Sequence, residues 1–372
     1  MTIRFIDMDS ILKTLMILTA MTIFQSCGAD RNTDRDALMD RLCAAAGSGE
    51  IMYGHEDALL YGHGWSSDEA ERAGYDRSDV KDVCGSHPAV LGLDLGGVEV
   101  ADADNLDGIR FDAIRKAAVA HHGRGGVVTF SWHLRNPLTG GDSWDVSSDG
   151  AVAYFLENED IFRSWMSKVA DFLLSLKDGS GNPIPVIFRP WHEHTGSWFW
   201  WGSELCSVDE YKELWSRTYA YLVEEMGLTN LIWAYSPNTG VDAQGYMERY
   251  PGDGYVDILG FDCYQFRSED ESTESSNARY AAQLRDALGY ITELGREHCK
   301  PVALTETGFE GIPYSKWWTE VLYPVINDYP IAYVLTWRNA WDRPGHFYGP
   351  FPGAVCEDDF KEFYSKKNIM FL

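Results

Sequence analysis

The stretch Val186-Ile187-Phe188-Arg189-Pro190-Trp191-His192-Glu193-His194 runs on into Thr195-Gly196-Ser197-Trp198-Phe199-Trp200-Trp201, and it decides how this 372-residue chain is read. It begins as a continuous apolar run, the pattern of a strand buried on both faces. It breaks at a proline, which a central strand cannot carry through its ladder. It then presents a carboxylate flanked by imidazoles and followed by indoles.

The same design recurs along the chain. Apolar runs stand at Ile51-Met52-Tyr53, Val90-Leu91-Gly92-Leu93, Val127-Val128-Thr129-Phe130, Val186-Ile187-Phe188, Leu231-Ile232-Trp233-Ala234, Ile258-Leu259-Gly260-Phe261, Val302-Ala303-Leu304 and Ala332-Tyr333-Val334-Leu335. Amphipathic stretches at 109–122, 161–176, 208–226 and 278–297 lie between some of them. Strand then helix, repeated to a count of eight, predicts an α/β chain folded as a single (β/α)8 barrel over residues 41–372. The competing fold is an open doubly wound sheet. It calls for a glycine-rich phosphate loop after the first run, and none is there.

Each run ends in chemistry: His55-Glu56, Asp94, Ser131-Trp132-His133, His192-Glu193, Tyr235-Ser236-Pro237-Asn238, Asp262 and Tyr264, Glu306, and Trp337-Arg338-Asn339. Barrel sites are built at the C-terminal ends of the strands. A glutamate among aromatic groups loses hydration, which favours its protonated form and suits it to general acid work. Indole faces are stacking surfaces for a sugar ring, and the cluster Trp198, Trp200, Trp201 predicts an exposed carbohydrate surface. Glu193 after the fourth run and Glu306 after the seventh make the pair of carboxyl groups that glycoside hydrolysis needs. Their separation, which would distinguish a retaining from an inverting enzyme, is not readable from sequence. Trp317-Trp318 opens a helix, with one of the two expected in the core.

Arg189-Pro190-Trp191-His192-Glu193, continuing to Gly196-Ser197-Trp198-Phe199-Trp200-Trp201-Gly202, resembles glycoside hydrolase family 26, best known for β-mannanases. The likeness covers essentially residues 41–372. It implies Glu193 as acid/base and Glu306 as nucleophile, with Tyr264 donating to the nucleophile and Arg189 and His192 in support. It also implies a sugar site lined by His133, Trp198, Trp337 and Arg338; Asp262 is read beside them as a substrate-binding residue that also helps to order the site. Leu134 stands where the family often has proline. The activity implied is retaining endo-β-1,4-mannanase action on a neutral β-mannan by a single monomeric chain, with no cofactor and no metal. Within the family, the alternatives are an exo-acting mannobiohydrolase or an enzyme for mixed-linkage β-glucan or β-1,3-xylan. Outside it, the alternative is a non-catalytic glycan-binding lipoprotein, which the presence of both carboxylates disfavours. An aldolase would want a lysine at a strand end, and no strand end offers one.

On the residues themselves, Tyr264 can favour a charged carboxylate, and Trp337 can stack on the reacting ring. Arg338 with Asn339 reads equally well as a ligand of sugar hydroxyls or as the partner of a structural acid. Asp94 reads as a structural acceptor. Neighbouring strand residues face opposite ways, so His192 and Glu193 can both face the pore only if the strand kinks near Pro190. His192 would then point at substrate or at Glu306. Asn136, Asp142 and Trp144 follow strand three in a loop that reaches outer subsites. His55, Glu56, His63 and His121-His122 fit no zinc spacing. His121-His122 closes a helix, where a partly cationic ring is favourable.

The formal charge of -26, from 31 basic and 57 acidic residues, argues against nucleic acid or anionic lipid as partner. A neutral polymer is indifferent to it. The apolar run 15–24 has the length of a signal-peptide core rather than of a membrane span. Cys27 directly after it predicts a bacterial lipoprotein signal over residues 1–27, with a polar tether over 28–40, and places the protein at the outer membrane on a lipid anchor or, failing lipidation, outside the cell. Export permits disulfides among the other six cysteines, with the pairing open. Cys263 reads as a free core thiol.

Overall fold

The computed structural model describes residues 33–372; Cys27 and the apolar run before it lie outside the described residues. The eight predicted runs are all strands: β1 (Ile51–Glu56), β2 (Val90–Asp94), β3 (Val127–Ser131), β4 (Val186–Arg189), β5 (Leu231–Tyr235), β6 (Ile258–Gln265), β7 (Val302–Phe309) and β8 (Ile331–Thr336). Each pairs in parallel with the next, and β1 pairs with both β8 and β2, which closes the barrel. Every strand residue is buried except Tyr264, which is half-buried. That is why the runs are continuous rather than alternating: one face packs on helices and the other fills the barrel. A ninth strand of two residues, β9 (Ile369–Met370), pairs with Ile51 and Met52 at the start of β1. It is too short to leave a pattern in the sequence.

The barrel interior is one cluster that includes Met52, Val90, Val127, Ile187, Ile232, Ile258, Tyr333 and Leu335. Leu38, Leu42 and Ala45 belong to the same cluster. They come from the helix Thr33–Ser48, which therefore caps the N-terminal end of the barrel. Arg35 ties this helix to the Leu231 carbonyl at 2.8 Å and to Asp257 at 2.6 Å. Part of the segment expected to be a tether up to residue 40 is thus already helical. Its polar residues mask an apolar stripe spaced as helix faces require.

A larger cluster fills the shell between strands and helices. The predicted amphipathic stretches appear there as Phe111–Gly123, Glu159–Leu174, Val208–Tyr219 continuing through Ala220–Glu225, and Thr273–Glu297. Trp200, Trp201, Trp317 and Trp318 are all fully buried in this shell. The expected exposed cluster of indoles therefore reduces to Trp198, and both members of the Trp317-Trp318 pair are core. His121 corrects another expectation. It is buried against the Ala89 carbonyl at 3.3 Å, and burial drives its pKa down to about 3. The ring is neutral because desolvation outweighs the helix terminus. The six cysteines from Cys43 onward are all free thiols, and Cys263 is buried.

Candidate active site

The chain kinks after β4 as the facing rule requires. Trp191 and Glu193 both adopt left-handed backbone, with φ of 53° and 52°. Non-glycine residues pay strain for that conformation, and the surroundings must impose it. They do so through main-chain groups. The Trp191 carbonyl accepts from Tyr211 at 2.8 Å, the His192 carbonyl accepts from the Trp201 indole at 2.8 Å, and the Glu193 N–H donates to the Ser236 carbonyl at 2.8 Å. The turn sends Glu193 toward the barrel mouth and His192 into the protein.

Glu193 lies in a cleft of about 530 Å³ that Trp198, Tyr264, Phe266, Trp337 and Tyr348 also line. Trp198 is 42% exposed, and its indole donates to Glu193 Oε2 at 2.6 Å. Burial above all, then the charges of Asp262 and Glu306, push the Glu193 pKa well above the carboxylate range; the Trp198 hydrogen bond and Arg189 oppose this. Glu193 is thereby kept as a proton donor.

Glu306 is buried in β7 below the cleft. Tyr264 donates to its Oε2 at 2.7 Å, and Arg189 donates to its other oxygen. Arg189 also holds Asp262 at 2.9 Å. A buried guanidinium shared between two carboxylates fixes all three side chains. Glu193, Asp262 and Glu306 each bring an oxygen to within 4.8 Å of the others. A metal ion could use such a set, but Arg189 already supplies the positive charge between two of its members.

Asp262 corrects an expectation. Its oxygens are occupied by Arg189, by Ser236 at 3.0 Å and by Thr305 at 2.7 Å. It borders the cleft but orders Arg189 rather than offering itself to a sugar, and its pKa is raised to about 7, chiefly by burial. His192 is another correction. It is fully buried and meets His133, with 3.1 Å between their Nε2 atoms, not Glu306 or the cleft. His133 Nδ1 bonds Asp94 at 2.7 Å, and Asp94, outweighing burial, holds the His133 pKa above its ordinary value. Burial, Arg189 and His133 push His192 well below its own. His133 thus links Asp94 on one side to His192 on the other. Asp94 is the structural acceptor expected.

Arg338 resolves to the structural reading. It is buried and pairs with Asp107 at 2.8 Å and with the Tyr61 hydroxyl at 3.3 Å. Asn339 is likewise spent on Asp79, on the Pro350 carbonyl and on the Tyr348 and Gly349 N–H groups. Trp337 does line the cleft. A second cavity of about 320 Å³ is lined by Asp102, His133, Arg135, Asp142 and Trp144, and the His133 ring lies 6.0 Å from that of Trp337. Trp144 stacks on His133 with centroids 5.4 Å apart. Asn136, expected in the same role, is buried and holds its own loop through the Asp145 carbonyl and the Leu138 N–H. His63 is a packing group stacked on Phe351 at 3.7 Å. Phe266, Gln283 and Tyr348 are cleft residues that sequence reading missed. Gln283 lies on a helix and Tyr348 in the loop after β8, where strand-end logic does not reach. Phe266, one residue beyond β6, was within reach of that logic.

The sequence profile of Glycosyl hydrolase family 26 matches residues 29–321. A mannan endo-1,4-β-mannosidase of Bifidobacterium adolescentis is 33% identical over 359 residues, 90% of this chain and 34% of that protein; the chain thus spans about a third of that relative's length. A mannan endo-1,4-β-mannosidase of Bacillus subtilis is 32% identical over 69% of this chain and 68% of its own length. Among solved structures, a β-mannanase of the same family from Bacteroides ovatus superposes with a TM-score of 0.85 at 47% identity, covering 91% of this chain and 94% of that one.

Proposed function

The chain belongs to glycosyl hydrolase family 26, and from that premise we propose that it is a retaining endo-β-1,4-mannanase. The observation that carries this reading is the pair Glu193 and Glu306, with carboxylate oxygens within 4.8 Å of each other, the first bonded by the Trp198 indole and the second by Tyr264 and Arg189. Retaining glycosidases hold their two carboxyl groups about 5–5.5 Å apart, whereas inverting ones leave room for a water between them. Glu306, held by Tyr264 and Arg189, attacks the anomeric carbon as Glu193 passes its proton to the departing oxygen. Glu193, now charged, takes a proton from water. That water displaces Glu306 from the sugar, and the configuration is retained. Trp337 and Trp198 both line the cleft and offer flat faces on which a sugar ring can stack.

The substrate in this proposal is linear or lightly branched β-mannan, which the names of the relatives support. The chain would act as a monomer, exported and anchored by lipid on Cys27, a reading supported by the apolar run and cysteine at the start of the sequence. Intact-mass measurement of the membrane fraction, against a Cys27→Ala variant, tests the anchor. For the activity, Glu193→Ala and Glu306→Ala should each lower hydrolysis of linear mannan by a factor of about 10² or more. The wild-type enzyme should release oligomers of mixed length early. Undiminished hydrolysis in either variant would overturn the assignment, and disaccharide as the sole early product would replace endo with exo action.

A further inference from the structure

The left-handed turn that carries Glu193 is held from outside the barrel by a cation. Arg249 follows the helix Ala243–Glu248 and is buried. Among the described residues its guanidinium pairs with no carboxylate. Instead Nη2 donates to the Ser203 carbonyl at 3.0 Å and the Cys206 carbonyl at 2.6 Å, while Nη1 meets Cys206 Sγ at 3.3 Å. The cation also lies 5.6 Å from the centre of the Tyr211 ring. Burying a charge without a counter-charge is costly, so the arrangement calls for an account of what it holds.

It holds both sides of the turn. After Glu193, residues 195–206 fold into a clip, closed by the Ser203 N–H on the Gly196 carbonyl at 2.8 Å and by the Ser203 hydroxyl on the Thr195 carbonyl at 3.0 Å. The clip carries Trp198, whose indole caps Glu193. Arg249 grips its base at Ser203 and Cys206. Before Glu193, Tyr211 lies under the guanidinium and donates to the Trp191 carbonyl.

We propose that Arg249 is a positioning residue for proton transfer, clamping the clip so that Trp198 stays over Glu193 and limits the hydration of its half-buried carboxyl. The inference rests on Glu193 being the acid/base. Glu193 is faced by Asp262 and Tyr264 from β6, Glu306 from β7, Arg189 from β4, and Trp198 from the clip. Of the influences on its proton affinity, burial is the largest and raises it. Loosening the clip hydrates the carboxyl and lowers its pKa, so the alkaline limb of kcat/KM moves to lower pH.

The test uses Arg249→Met, which keeps the length without a buried charge, and Arg249→Lys, which keeps the charge without the fork, both in the full chain. On mannopentaose, whose leaving group needs a proton, kcat/KM should fall roughly tenfold or more. On dinitrophenyl β-mannobioside, whose leaving group needs none, it should stay within about threefold. The alkaline limb should move down by about one pH unit in the first substrate. Equal losses on the two substrates, or an unmoved limb in a variant folded by circular dichroism, would overturn the proposal. If one variant fails to fold, the other is read by the same criteria. Glu193→Ala run alongside should lose mannopentaose and keep the aryl substrate's kcat/KM. If it does not, the acid/base reading fails on its own; if it does and the Arg249 variants show no selectivity, only the clamp fails.

Discussion

Tyr264 shows what a single hydroxyl is asked to do. It is the one residue of the eight described barrel strands that is not buried, and its hydroxyl donates to Glu306 at 2.7 Å. A hydrogen bond to a charged group contributes about 1.5–3 kcal/mol. In Tyr264→Phe the carboxylate loses that donor while Arg189 still holds its other oxygen. We expect kcat on linear mannan to fall roughly 10- to 100-fold with KM changed by less than about threefold. A change confined to KM would mean that the hydroxyl binds sugar rather than orienting Glu306. The resemblance to the family implies this role, and the residues agree with it, because a tyrosine hydroxyl near one strand end can donate to a carboxylate near another. In the sequence Arg338 with Asn339 stays open between two readings, and Asp262 reads as a sugar ligand, although all three share such positions. Their partners, Asp107, Asp79 and Arg189, lie far away in the chain, and only the closed fold shows that their polar atoms are already occupied.

At the scale of elements, the pairing of β1 with β2 creates a seat for a buried carboxyl. The register puts Glu56 opposite Gly92. A Cβ on Gly92 would lie 1.7 Å from Glu56 Oε2, so only glycine leaves the room. Among the described residues Glu56 Oε1 has no hydrogen-bond partner. Burial first, then Asp57, Glu306 and Asp94, raise its pKa well above the ordinary value, against the pull of Arg189. The sign for stability follows. Above its unfolded pKa the unfolded chain has released this proton and the folded one still binds it, so stability declines as pH rises toward the folded pKa. Glu56→Gln removes that dependence. The Tm of the variant minus that of the wild type should therefore grow as pH rises above the ordinary glutamate pKa of about 4.3; a constant difference would show that Glu56 is already charged in the fold. The eight runs themselves were legible because burial on both faces leaves no alternation to misread. The turn after β4 was legible only as a need: the facing rule demanded a kink, but sequence could not show that Trp191 and Glu193 would bear it in left-handed backbone.

At the scale of the whole molecule, the two ends of the barrel divide the work. The C-terminal end holds the strained turn, the buried ion pairs and the cleft. The N-terminal end is closed by the helix Thr33–Ser48, whose Leu38, Leu42 and Ala45 complete the interior cluster. Conventional barrels separate function and stability in the same way. The plug was hidden in the sequence by charged neighbours, Asp34, Arg35 and Asp36, which made its first turns read as a tether. Leu42 is fully buried, and truncating a buried leucine to alanine costs about 2–5 kcal/mol through lost transfer energy and the cavity left behind. Leu42→Ala should therefore lower Tm by several degrees. Its kcat per folded molecule at 25 °C should match the wild type, because the cavity opens at the end opposite to Glu193 and Glu306. Thermal melts paired with initial rates on mannan check both halves. An unchanged Tm would mean that the helix rests on the barrel without sealing it, and a fall in kcat would mean that strain at the plug travels along the strands to the site.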